Sequence, residues 1–509
     1  MSSPRPRCSR YTCGPVRILL VHPADFPDPS RPAPLLPPNQ APPLGLAYIA
    51  AFLREGGHHV AIHDMCHTKL DRREFLARVR EHAPDVLGMG LYTVTVPVAR
   101  EIAQLIRTEH PQCQIVVGGP HPAGAPEECA RDPQFDFAVA GEGEHTMLEL
   151  CDALETGADV SQVPGLWYSE DARDPTSPIV QTRTRGWIEN LDLLPWPARD
   201  LLPPLDSYKM TMFQYRNWPA STIYTSRGCP YSCIFCERRE ILGNKFRVHS
   251  AKYVVDEIEH LQRDYGIQEI FFYDDTFTLD ARRVHAICDE ILRRQIRISW
   301  NISTHVNTVS RELLHTMKKA GCWQIAYGIE TGDPEVMKAI MKGTDPDTVR
   351  ERIAWTTEAG IEAKGLFMIG HPTDTAESID RTIEFARSLP IMSANFKITT
   401  PFVGTPLREM ATDYGELNAE DYRNFMGDPS EVVFVPNGLT REYLLGVQRR
   451  AYARFYSQPS RLARIAATMA GTRNLGKWVL GGRIMARLLR HQAQGPREGV
   501  LAQFMEFEH

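Results

Sequence analysis

Thr225-Ser226-Arg227-Gly228-Cys229-Pro230-Tyr231-Ser232-Cys233-Ile234-Phe235-Cys236 is the stretch from which the rest of the chain is read. Its three cysteines follow a C-x3-C-x2-C spacing, directly after a short β-type run (Ser221 to Thr225) and inside a Gly/Pro-marked loop. A loop this compact can turn three thiolates toward one point. Three soft sulfur ligands suit an iron–sulfur cluster, whereas structural zinc usually takes four ligands. The nearest downstream histidine is His249. The natural reading is a [4Fe–4S] cluster with one iron left open for a ligand that is not protein. The plainer alternatives are a zinc loop completed from afar and three free thiols.

Working outward, strands and helices alternate on both sides of this loop. Upstream, apolar runs at Val16 to His22, His59 to His63, Asp85 to Gly90, Gln114 to Gly119 and Phe135 to Ala140 predict five strands. Helical spacing at Leu44 to Glu55, Leu70 to His82 and Pro97 to His110 falls between them. That rhythm predicts an open, Rossmann-like, doubly wound parallel sheet, which binds ligands at the carboxyl ends of its strands. Downstream, a helix at Ala251 to Tyr265 and strands at Ile270, Ile298, Gln324, Ala363 and Ala394 continue a six-fold βα repeat. This predicts a partial (β/α)6 TIM-type barrel with its chemistry at the carboxyl-terminal rim. The expected organisation is a flexible tail at 1–16, an α/β unit at 17–150, a Pro-rich connector at 151–215, the barrel at 216–410 and a mainly helical region at 411–509.

A chain of 509 residues is too long for one core, and its formal net charge of −6 supplies no field to attract nucleic acid. Eleven cysteines without a regular framework fit a reducing cytoplasm. Residues 1–15 carry Arg5, Arg7 and Arg10 but lack the apolar core of a signal peptide. No apolar run approaches the roughly 20 residues that span a bilayer, so a soluble cytoplasmic protein is expected. The segment 459–494 has seven Arg/Lys and no acid. It reads either as a helical cap on the barrel or as a peripheral membrane contact, and the latter would suit a lipid substrate.

The cysteine spacing resembles the signature of the radical S-adenosylmethionine (SAM) superfamily, in which SAM occupies the open iron. Three further stretches strengthen the resemblance: Asp274-Asp275-Thr276-Phe277, Gly328-Ile329-Glu330-Thr331-Gly332, and Gly365 to Pro372 with its glycine-bracketed strand. It implies that Cys229, Cys233 and Cys236 hold the cluster, and that Phe235, Asp274, Asp275, Glu330, Gly365 and Ile369 contact SAM. The plainer alternatives are a rim salt bridge for Glu330 and a helix cap for Asp274.

In the first half, the strand ends read Gly90-Leu91-Tyr92-Thr93, Gly118-Gly119-Pro120-His121 and Gly141-Glu142-Gly143-Glu144. Together they resemble the cobalamin-binding domain of the B12-dependent radical SAM enzymes, implying that Leu91, Thr93, Gly118, Gly119, His121, Gly141, Glu142 and Gly143 face cobalamin. The D-x-H-x-x-G motif of many cobalamin proteins is absent. His22 sits near its place without an adjacent Asp, so no protein ligand below cobalt is expected.

The family resemblance implies reductive cleavage of SAM to a 5′-deoxyadenosyl radical and, most commonly, methylation of an unactivated carbon of a small molecule or lipid. It also implies an electron donor such as a flavodoxin or ferredoxin. The alternatives are a non-methylating transformation, such as anaerobic cyclisation of a magnesium-porphyrin ester, and a non-enzymatic cobalamin or iron–sulfur sensor. Substrate and oligomeric state are not readable.

Overall fold

The computed structural model describes residues 14–27, 41–171, 174, 176–208, 215–426 and 432–463. The expected tail up to residue 13, and the basic segment 459–494 beyond residue 463, lie outside the described residues. Strands β1 (Arg17–His22), β2 (His59–Asp64), β3 (Val86–Gly90), β4 (Gln114–Gly118) and β5 (Phe137–Val139) form a parallel sheet in the order β2-β1-β3-β4-β5. Alternation along each strand decides its two faces. Leu19, Val21, Leu87 and Met89 pack against the helices Arg72–His82 and Val96–Glu109. Ile18, Leu20 and Val86 pack against Leu44–Glu55 and Glu144–Thr156. The strand order reverses between β1 and β3, which is where such sheets open a ligand crevice.

The expected connector is corrected in part. Strands β6 (Leu166–Ser169) and β7 (Ile179–Gln181) join the first sheet antiparallel beside β5. Val163, Leu166 and Ala198 enter its core, so burial of this hairpin outweighs its Pro-rich surroundings. The remainder does bridge the two halves. Arg199, fully buried, holds Glu257 at 2.7 Å and donates to the Thr222 carbonyl at 2.9 Å.

The second half opens with β8 (Ala220–Ile223) and a two-stranded ribbon, β9 (Ser226–Arg227) with β10 (Arg247–Val248). Strands β11 (Glu269–Phe272), β12 (Ser299–Thr304), β13 (Cys322–Glu330), β14 (Glu362–Ile369) and β15 (Ser393–Ile398) follow. With β8 they form a parallel six-stranded sheet ordered β15-β14-β13-β12-β11-β8, the expected open barrel. Residues 411–463 are not purely helical, because β16 (Gly415–Leu417) and β17 (Phe434–Pro436) form a hairpin before the helix Arg441–Tyr456. That helix covers the exposed edge of β15. The Phe396 amide donates to the Tyr452 hydroxyl at 3.1 Å and Gln448 donates to the Phe396 carbonyl at 2.8 Å, satisfying groups an edge strand leaves open.

Candidate active site

The cysteine loop lies between the two strands of the β9–β10 ribbon. Gly228 has φ +85°, and a Cβ there would stand 2.2 Å from the Lys245 carbonyl oxygen, so only glycine lets the loop fold back on the ribbon. The Cys229 amide donates to the Gly243 carbonyl at 3.2 Å, and the Ile234 amide to that of Ile340 at 3.2 Å. Ile234 and Phe235 pack with Val336, Ile340 and Leu407 beneath the loop. All three cysteines are free and partly exposed. Three thiolates on one short loop are the donor set of an iron–sulfur cluster, whereas structural zinc usually takes four ligands. Burial raises the Cys233 thiol and pushes that of Cys236 up to about 12, so iron must displace protons to bind.

Asp274 departs from its expected role. It is fully buried and accepts from the Thr225 amide (2.6 Å), the Thr225 hydroxyl (2.5 Å) and the Ser226 hydroxyl (2.5 Å), with Arg283 Nη2 at 3.3 Å. Arg283 is aimed there by Asp280, which caps its helix. Asp274 therefore braces the approach to the cysteine loop and has no face left for SAM; it is not a helix cap either. Its neighbour Asp275 points the other way, toward the barrel mouth, and pairs with Arg238 Nε at 3.1 Å. Burial raises the Asp275 carboxyl, and Arg238 opposes the shift.

Glu330 stands at the end of β13 with φ +66°, a conformation that costs a non-glycine residue and concentrates at functional sites. It accepts from Lys342 Nζ at 2.9 Å, both side chains being about nine-tenths buried. This is the rim salt bridge set beside the ligand reading, and it lies at the ligand end of the barrel. Lys342 Nζ is 5.9 Å from the Phe235 ring centroid, and the His371 ring is 6.0 Å from that of Phe235. Burial alone would lower the Lys342 pKa, but Glu330 and Cys233 hold it raised. His371 Nε2 is a buried atom without a hydrogen-bond partner, and burial pushes that imidazole down to about 3, leaving it neutral. A strained carboxylate, a fixed cation and an unfilled imidazole around Phe235 fit a zwitterionic, nucleoside-bearing ligand.

Gly365 and Ile369 do not line this pocket with their side-chain faces. A Cβ on Gly365 would meet the Phe367 ring at 2.6 Å, and Ile369 is fully buried in the core behind the sheet. Strand alternation puts Leu366 and Met368 on the other face instead.

On the opposite side, the Gly-rich strand ends face the barrel mouth. Leu91 and His121 are buried, and the Leu91 amide donates to the Gly118 carbonyl at 2.7 Å. Gly119 at φ +99° lies against the Leu91 backbone. His121 Nδ1 and Thr93 Oγ1 are 3.2 Å apart. Tyr92 leaves 52% of its surface exposed, yet surrounding protein pushes its phenol up to about 12. Tyr224, Tyr273 and Arg238 stand near it, the two tyrosine ring centroids 5.9 Å apart.

Glu142 departs from the cobalamin-facing expectation. Its buried carboxylate accepts from Arg227 Nη1 at 2.8 Å, from Arg247 Nη1 at 2.8 Å and from the Ile188 amide at 2.7 Å. Glu144 accepts from Arg227 Nη2 at 2.6 Å. Gly141 packs on Trp187, and a Cβ on Gly143 would press on Ile49.

His22 is also corrected in part. It has an orienting carboxylate after all, Asp64 from the end of β2, with Nδ1 and Oδ1 at 3.1 Å. Tyr208 donates to the other oxygen of Asp64 at 2.9 Å. Burial would lower the His22 imidazole, but the bonds to Asp64 and Cys66 outweigh it and push its pKa up to about 10. Sequence reasoning missed Lys342, Asp64 and both ribbon arginines. Arg227 alone carried a local signal, lying two residues before Cys229.

The B12 binding domain family matches residues 37–151, and the Radical SAM superfamily matches residues 223–386. An uncharacterized methyltransferase of Pyrococcus horikoshii is 36% identical over 82% of this chain and 88% of its own length. The anaerobic magnesium-protoporphyrin IX monomethyl ester cyclase of Rubrivivax gelatinosus is 26% identical over 87% of this chain and 77% of its own. The radical SAM methyltransferase TsrM of Kitasatospora setae, solved with cobalamin and a [4Fe-4S] cluster, shares the fold at a TM-score of 0.67 and 19% identity, covering 87% of this chain and 90% of that one. With both domains matched in order, and a relative aligned over most of both lengths, this chain belongs to the cobalamin-dependent radical SAM enzymes, which use a [4Fe–4S] cluster, SAM and cobalamin.

Proposed function

We propose that this enzyme transfers a methyl group to an unactivated carbon of a small organic substrate held between the two halves. The observation that carries the reading is the 36% identity, over 88% of its length, to a relative named a methyltransferase. When bound, the cluster and SAM supply a 5′-deoxyadenosyl radical, and cobalamin supplies the methyl group. The residues of this chain provide position and exclusion of water. Glu330 and Lys342 offer a fixed carboxylate and ammonium to the polar end of SAM, and Phe235 beside His371 offers an apolar slot. Tyr231 stacks on His305 at 4.2 Å and closes the pocket on its other side. His305, pushed by burial down to about 4, stays neutral beside Tyr231. Tyr92, Tyr224 and Tyr273 add aromatic surface with phenol hydroxyls nearby, suited to an organic substrate. The electron comes from a donor such as a flavodoxin or ferredoxin.

Reconstituted, oxygen-free protein given SAM with a deuterated methyl group and a metabolite extract tests the reading. The expected product carries a CD3 group in place of one hydrogen, formed together with 5′-deoxyadenosine. The cyclase relative favours a second reading, in which 5′-deoxyadenosine appears and a porphyrin ester closes a ring without gaining carbon. Absence of reductive SAM cleavage would refute both and leave a sensor.

A further inference from the structure

We infer that Glu142 and Glu144 are positioning residues for the cluster loop, holding both of its flanks in register with the strand ends that face cobalamin. Arg227 and Arg247 are directly paired residues of the β9–β10 ribbon, one before the cysteine loop and one after it. The single carboxylate of Glu142 grips both guanidinium groups, and Glu144 takes the other arm of Arg227.

The grip extends beyond the charges. Arg247 also donates to the Ile188 carbonyl at 2.8 Å and the Leu242 carbonyl at 2.7 Å, and its guanidinium lies 5.4 Å from the Trp187 ring. Gly141, at the head of the same Gly-Glu-Gly-Glu turn, and Gly243, which anchors the Cys229 amide, rest on opposite parts of that indole. A turn that ends β5 is thus tied to the cysteine loop through two arginines and one tryptophan.

All four charged side chains are at least nine-tenths buried. A buried ion network of this kind contributes little net stability over an apolar contact of equal shape, because desolvation offsets the attraction. Its directional hydrogen bonds do fix orientation, and Arg is the side chain whose planar fork does so. Arg227 is separated from Cys229 by Gly228 alone, so a tilt of its backbone moves the first cluster ligand directly. The relative placement of the two metal centres is then decided by these carboxylates.

Pulsed electron paramagnetic resonance tests this without turnover. The full-length holoprotein is loaded with iron, sulfide and hydroxocobalamin, then reduced until both the cluster and cobalt are paramagnetic, and the distribution of distances between them is measured. In the Glu142→Gln/Glu144→Gln variant, with iron and corrinoid contents equal to wild type, the distribution should broaden about twofold, as expected for a site whose supporting shell is removed. An unchanged mean and width would overturn the inference. If the double variant fails to load, Glu144→Asp decides, since it keeps the charge and withdraws it from Arg227: broadening supports the inference and an unchanged distribution refutes it. A wild-type chain that binds neither group would instead refute the assignment of its cofactors.

Discussion

Replacing Asp274 separates two roles that its sequence position leaves confused. If Asp274 braces the cysteine loop, Asp274→Ala should destabilise the barrel before any ligand is added. The substitution leaves the Arg283 guanidinium, with 4% of its side chain exposed, without its carboxylate, and strands the Thr225 amide and two hydroxyl donors. Removing one partner of a buried ion pair costs about 3–5 kcal/mol. For a unit of this size each kcal/mol lowers Tm by roughly 2–4 °C, so the barrel transition should fall by roughly 6–20 °C. Scanning calorimetry of the metal-free protein reads this directly, and Asp274→Asn, which keeps one acceptor oxygen, should fall between. A barrel transition unchanged in Asp274→Ala, accompanied by lost SAM binding, would refute the bracing role and restore the ligand role.

Changing Cys229, Cys233 and Cys236 together to Ala should abolish the brown iron–sulfur absorbance while the visible spectrum of bound cobalamin persists. Lys342→Met leaves Glu330 buried without its cation; SAM affinity measured by equilibrium dialysis should weaken by roughly 10- to 100-fold, the worth of a charged hydrogen bond, at unchanged iron content. His22 has its pKa raised in the fold to about 10. Its contribution to stability is therefore complete below the unfolded value near 6.5, declines as pH rises, and is gone above about 10. The urea midpoint of wild type should drop between pH 7 and 10 more steeply than that of His22→Gln; parallel slopes would show that His22 is not charged in the fold.

Strand and helix order was legible in the sequence because each element's periodicity is a local property. Leu44–Glu55 and Ala251–Tyr265 follow their apolar spacing to the residue. The candidate cluster ligands were legible for the same reason: three cysteines within eight residues form one local spacing, and the resemblance to a known family rests on such short stretches. The pairings that orient the site were not legible. Asp64 lies 42 residues from His22, Glu142 lies 85 from Arg227 and 105 from Arg247, and nothing local distinguishes these carboxylates from solvated ones. The β6–β7 hairpin was legible as a hairpin, but its place in the first sheet was not, because it depends on the β5 edge that exists once the sheet has formed. Asp274 and Asp275 are neighbours just beyond the end of β11, yet one is buried against Thr225 and Arg283 and the other pairs with Arg238. Composition and periodicity thus determined which elements form, and a short local spacing which cysteines are the candidates to hold the cluster. Chain folding alone decided which charges meet, because burying a charge is tolerable only where a distant partner arrives to compensate it.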